Sequence, residues 1–66
     1  MRDKLRKVRK QQKLTQESLS KKANIHRTYY SMIESGKRTP SLKVAISIKK
    51  ALNYKEDDIF EKISIN

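Results

Sequence analysis

The chain has no cysteine and no tryptophan, one glycine and one proline in 66 residues, and only seven acidic side chains against seventeen Lys and Arg. Without cysteine there is no disulfide framework, thiolate metal site or cysteine nucleophile. One Gly and one Pro leave neither a flexible linker nor the turn density of a strand-rich fold. The longest uninterrupted apolar run, Val44-Ala45-Ile46, is far too short to span a membrane. Met1 to Lys13 is basic and polar and lacks the apolar segment of a secretory signal. These absences point to the cytoplasm. A single His among scattered acids supplies no nucleophile–base pair, glycine-rich phosphate loop or metal-ligand cluster. Neither an enzyme nor a cofactor or metal site is therefore expected.

What is abundant is positive charge, a net +10, and it is unevenly spread. Residues 1–50 carry fifteen basic and three acidic side chains, a net +12, while residues 51–66 carry two basic and four acidic, a net −2. A basic body suits a polyanion, because each phosphate it neutralises releases condensed counterions. Leu, Ile, Val and Phe number 15 of 66, about 23%, just above the roughly 20% below which disorder becomes the default. A small core is possible, and association with a second copy would support it. At this length one domain, 1–66, is expected, with no room for a ligand-sensing domain and so no small-molecule ligand.

Apolar spacing is helical throughout. Asp3 can cap a first helix running to about Lys13, with Leu5, Val8, Arg9 and Gln12 on one face. Thr15 suits the cap of a second helix over 16–23, with Glu17 in its first turn, and Asn24 suits its left-handed stop. A third helix over 27–35 sets Tyr30, Ile33 and Glu34 on one face, and Gly36 ends it. Thr39-Pro40-Ser41 reads as turn and cap for a fourth helix over 42–52, and a short acidic fifth is expected over 56–61. The alternating tail 62–66 reads as extended.

The second and third helices are joined by only Asn24-Ile25-His26, too few residues for an antiparallel hairpin, so they should cross steeply. Ser20 permits close approach, and Ile25 can plug the corner. Such an arrangement projects the second helix of the pair outward, where its first residues can enter a major groove.

Leu14-Thr15-Gln16-Glu17-Ser18-Leu19-Ser20, then Ala23-Asn24-Ile25, then Ile33-Glu34-Ser35-Gly36-Lys37-Arg38, then Pro40-Ser41-Leu42 resembles the Cro/repressor-type (xenobiotic-response-element type, lambda-repressor-like) helix-turn-helix family. The likeness runs from about residue 5 to Phe60. It implies an all-α, five-helix domain, usually a homodimer on a pseudo-palindromic operator in double-stranded DNA, with the helix-turn-helix over about 15–35. It further implies base contacts from Gln16, Arg27, Thr28, Tyr29 and Met32, and phosphate contacts from Thr15, His26, Lys37 and Arg38. The chemistry fits: an arginine takes guanine bidentately, a threonine bonds either way, and Met or Tyr packs on a thymine methyl. Arg27 on phosphate alone and Tyr29 as a bystander are the duller alternatives.

Arg9 and Glu34 both fall on inward faces, where a lone charge is costly, so each needs a partner. The simplest partner is the other, a pair many family members carry, against the alternative of two unrelated surface charges. Two positions depart from the family pattern. His26 replaces the usual Ser, Thr or Asp cap and reads as a modest cap or phosphate contact rather than a pH switch. Lys49 stands where a small Ala is common and would have to snorkel outward.

In the segment 54–66, Phe60, Ile63 and Ile65 read as a dimer interface, with closure of the monomer's own core as the alternative. A dimer would set half-sites about 34–36 Å apart. The resulting expectation is a DNA-binding regulator, a repressor of bacterial, phage or mobile-element origin that resides on the nucleoid. Rival readings are an antitoxin-like protein-interaction module with secondary DNA binding, and a basic peptide that coats RNA or an anionic membrane through residues 2–13. Leu5 and Val8 make too thin an apolar face for the membrane variant.

Overall fold

A computed structural model describes residues 1–56 and 58–60. The described residues form α1 (Asp3–Gln11), α2 (Gln16–Ala23), α3 (Arg27–Ser35) and α4 (Leu42–Ala51), with no strand among them. Local chemistry sets most of the boundaries. Thr15 Oγ1 accepts the Ser18 N–H at 3.0 Å, satisfying one orphan donor at the start of α2, and Glu17 sits against the positive end of the helix. Asn24 ends α2 at φ 59°, and the Ile25 N–H closes that turn on the Ser20 carbonyl at 2.9 Å. Gly36, at φ 88°, ends α3. Ser41 Oγ accepts the Val44 N–H at 3.2 Å and opens α4.

The first helix departs from expectation at both ends. Its cap position is held by Arg2, and Asp3 is the first helical residue, its carboxylate in the first turn where the helix dipole favours an anion. At the other end the helix stops at Gln11 because Lys13 adopts φ 59°. The Lys13 N–H bonds the Lys10 carbonyl at 2.9 Å and the Leu14 N–H bonds the Arg9 carbonyl at 3.2 Å. A left-handed lysine costs about 1–2 kcal/mol and carries no sequence signature, which is why the helix reads too long.

The expected fifth helix is also corrected: four helices occur among the described residues. Residues 54–56 are irregular and 58–60 form a turn, while Asp57 and residues 61–66, including Ile63 and Ile65, lie outside the described residues. The acidic segment is tethered by side chains instead. Tyr54 Oη donates to Asp58 Oδ1 at 2.6 Å, and Lys4 Nζ lies 3.2 Å from Asp58 Oδ2, which fastens the turn to α1.

The core is built from Leu5 and Val8 of α1, Leu19 and Ala23 of α2, Tyr30 and Ile33 of α3, Ala45, Ile48 and Ala51 of α4, and then Leu52, Ile59 and Phe60. Helix α2 packs on both α3 and α4, and α1 rests on α3. Phe60, read above as a dimer contact, is only 3% exposed and completes this core. Twelve buried apolar residues among those described, nine of them on short helices, make a small core, so burying the ring within the chain outweighs reserving it for a partner. Lys49 is half-buried, as a snorkelling side chain on α4 would be.

Candidate nucleic-acid interface

Helix α3 presents two faces. Tyr30, Ile33 and Glu34 are buried, and they orient the helix through a closed polar cluster. Arg9 Nε donates to Glu34 Oε2 at 2.8 Å and Arg9 Nη2 to Glu34 Oε1 at 3.2 Å. Tyr30 Oη donates to Glu34 Oε2 at 2.7 Å, Gln16 Nε2 to Glu34 Oε1 at 2.9 Å, and Arg9 Nη1 to the Leu14 carbonyl at 2.7 Å. Burial opposes ionisation of Glu34, yet the hydrogen bonds from Arg9, Tyr30 and Gln16 outweigh it and hold the carboxyl below its ordinary range. The hydrogen bond to Glu34 raises Arg9 further. Tyr30 is pushed up by burial first and by the neighbouring Glu34 carboxylate second. One carboxylate thus joins α1, α2 and α3. This cluster fixes the attitude of α3.

The opposite face of α3 is open. Thr28 and Met32, one helical turn apart, mark its centre and are exposed, Met32 at 38%. Arg27, on one flank, is exposed. Tyr29, on the other, is half-buried and packs against the core, so only part of its ring is available outward. The Arg38 guanidinium lies 5.6 Å from the Tyr29 ring centroid, a cation–π arrangement that links the end of the helix to its flank.

Three anticipated contacts have a different local setting from the one expected. Gln16 is turned into the Glu34 cluster, which places its amide at the junction of α2 and α3. The Thr15 hydroxyl is engaged as the α2 cap and donates to Ser18 Oγ at 2.9 Å. His26 holds the cap position of α3 in extended conformation but makes no cap hydrogen bond, which corrects the capping role. The first N–H groups of α3 are consequently without a side-chain cap, the geometry that receives an anion at a helix amino terminus. Lys37 and Arg38 are exposed just after Gly36. The cationic and polar groups therefore flank an outward helix: His26 and Arg27 at its start, Lys37 and Arg38 at its end.

Arg2 went unrecognised in the sequence. It is buried, its N–H donates to the Glu34 carbonyl at 2.8 Å, and its guanidinium reaches the Ile33 and Arg38 carbonyls at the far end of α3. Its partners are backbone atoms more than thirty residues away, and within a run of Lys and Arg nothing in the sequence distinguishes it.

A compact helical bundle that holds one short helix outward, with cations at both of its ends, has the build of a DNA-binding helix-turn-helix domain. The helix-turn-helix family model matches residues 5–59, and the chain belongs to the Cro/repressor-type helix-turn-helix family. It is similar to an HTH-type transcriptional regulator of Methanocaldococcus jannaschii, 45% identical over 60 residues that cover 91% of either chain. It is also similar to the control protein C.MunI of a Mycoplasma species, 40% identical over 62 residues that cover 92% of this chain and 84% of that one. Among solved structures, the restriction-modification controller protein C.AhdI of Aeromonas hydrophila superimposes with a TM-score of 0.83 at 29% identity, covering 89% of each chain. The chain is a DNA-binding transcriptional regulator, in a family of regulators rather than enzymes. No helix among the described residues is long and apolar enough to cross a membrane.

Proposed function

We propose that this regulator is a repressor that acts as a homodimer on a pseudo-palindromic operator in the cytoplasm, with α3 in the major groove of each half-site. The observation that carries the reading is the outward face of α3, bounded by Arg27 at one end and by Lys37 and Arg38 at the other. Thr28, Met32 and Arg27 read base edges, with Tyr29 and Gln16 at the margins of the same surface. His26, Lys37, Arg38 and the amino end of α2 at Thr15 hold phosphate and set the register. Ile63 and Ile65, beyond the buried Phe60, supply the dimer contact. Occupancy of the promoter then blocks transcription, and protein concentration sets the response.

The test combines stoichiometry with a reporter. Sedimentation of the protein with a bound duplex should give two chains per operator, and expression of the protein should lower transcription from a promoter that carries the site. One chain per duplex, or a rise in transcription, would replace the homodimeric repressor with a different regulator. A second reading is favoured by the likeness to two control proteins, C.MunI and C.AhdI. In it the regulated genes encode a restriction enzyme and its methyltransferase. Mapping of bound sites to such a gene pair would decide for it, and their absence near every bound site would decide against it.

A further inference from the structure

Among the described residues, Arg2 is the only basic side chain besides Arg9 that the fold buries, with 5% exposure. It has no carboxylate partner among the described residues. Its counter-charge is the carbonyl end of α3, where the last turn leaves acceptors unsatisfied and the helix dipole is negative. The Arg2 N–H takes the Glu34 carbonyl at 2.8 Å. Arg2 Nη1 donates to the Ile33 carbonyl and, at 3.1 Å, to the Arg38 carbonyl, while Nε has no partner among the described residues. An aliphatic side chain would fill this place with a smaller desolvation penalty. What the guanidinium adds is a clasp: one nitrogen ties the last turn of α3 to the backbone of the loop that follows. That backbone belongs to Arg38, whose own guanidinium stands over Tyr29.

We propose that Arg2 is a positioning residue for DNA binding: by holding the Arg38 backbone against the end of α3 it keeps the Arg38 guanidinium over Tyr29, aimed at the phosphates beside the groove. The inference rests on the interface reading above, in which Arg38 contacts phosphate. Arg2 itself touches no DNA, and its effect passes through Arg38.

The experiment is a double-mutant cycle read in DNA binding. Affinity for a short duplex of random sequence is followed against salt for the wild-type chain, Arg2→Met, Arg38→Ala and the double variant. All are measured at a temperature where circular dichroism shows each folded. Arg2→Lys, which keeps the charge and loses the fork, replaces Arg2→Met if the latter unfolds. Each single change should weaken binding roughly tenfold, the size of one charge-assisted contact. Each should also flatten the slope of log affinity against log salt by about 0.9. The double variant should bind no worse than Arg38→Ala alone, because both changes remove the same contact. An Arg2 variant with an unchanged salt slope, or losses that multiply in the double variant, would overturn the positioning role. If Arg38→Ala alone changes neither affinity nor slope, the interface reading fails and this inference falls with it.

Discussion

Arg9 Nε lies 2.8 Å from Glu34 Oε2, so an ion pair with both side chains at most 9% exposed joins α1 to α3 inside the core. Such a pair adds little relative to a well-packed apolar replacement, but removing one partner strands the other without compensation. Glu34 also accepts from Tyr30 and Gln16, so its loss would unbalance two further groups.

Glu34→Leu should therefore cost about 3–5 kcal/mol, and Arg9→Met a similar amount. The double variant should recover much of the loss, with an interaction energy well outside additivity. Urea unfolding of the four proteins measures this. Additive losses would mean that the pair is not a unit.

The same cluster sets the pH window of stability. The folded-state pKa of Glu34 is lowered, so its contribution is present above the ordinary carboxylate range and is lost as pH falls through that range toward the folded value. Tyr30 is raised, so its contribution is present below the ordinary tyrosine value of about 10 and is lost as pH climbs beyond it. Thermal melts against pH should show a plateau bounded by both losses. Glu34→Gln should lower the plateau and flatten the acid limb, and an unchanged acid limb would assign that loss to other carboxyls.

Gly36 holds the helix end at φ 88°, and a Cβ there would stand 3.4 Å from the Met1 nitrogen. Gly36→Ala should cost about 1–2 kcal/mol through the backbone conformation itself. The loop carrying Lys37 and Arg38 should loosen at the same time, seen as faster amide exchange at those two residues. Unchanged exchange with lowered stability would separate the turn from the interface.

Phe60→Ala should destabilise the chain by about 3–5 kcal/mol, as loss of a buried ring does. The deficit should be equally large in dilute protein, because the ring packs within one chain. A deficit confined to concentrated, dimeric protein would restore Phe60 to an intermolecular contact.

Arg27 and Lys37 should separate by specificity. Arg27→Ala should cost about 1–3 kcal/mol on the true operator and relax discrimination at one base pair, whereas Lys37→Ala should weaken all duplexes alike. Equal losses for Arg27→Ala on operator and random DNA would reduce that residue to a phosphate contact.

The helices were legible where side-chain chemistry marks their ends. Thr15, Asn24, Gly36 and Ser41 each announce a boundary, and α2 and α3 fall on the expected residues. The inward positions of Arg9 and Glu34 were legible for a related reason, since helical periodicity brings charges to faces that otherwise bury. What escaped has no local signature. Lys13 turns left-handed where a side chain of its kind is strained, and Arg2 finds its partners in carbonyls of a distant helix end. The acidic segment read as a helix from its composition, but residues 54–56 are irregular and 58–60 form a turn, with Lys4 of α1 reaching Asp58 from a distant part of the chain. Phe60 illustrates the same limit: an apolar residue near a chain end reads alike whether it closes its own core or a partner's.

Selection of bound duplexes from a random DNA pool, followed by affinity against salt, tests most directly whether the outward face of α3 reads sequence. One two-fold symmetric site should be enriched and bound well above random DNA at the same salt. A pool that shows no enriched sequence, with affinity following salt alone, would contradict that role of α3 and leave only the charge of the surface at work.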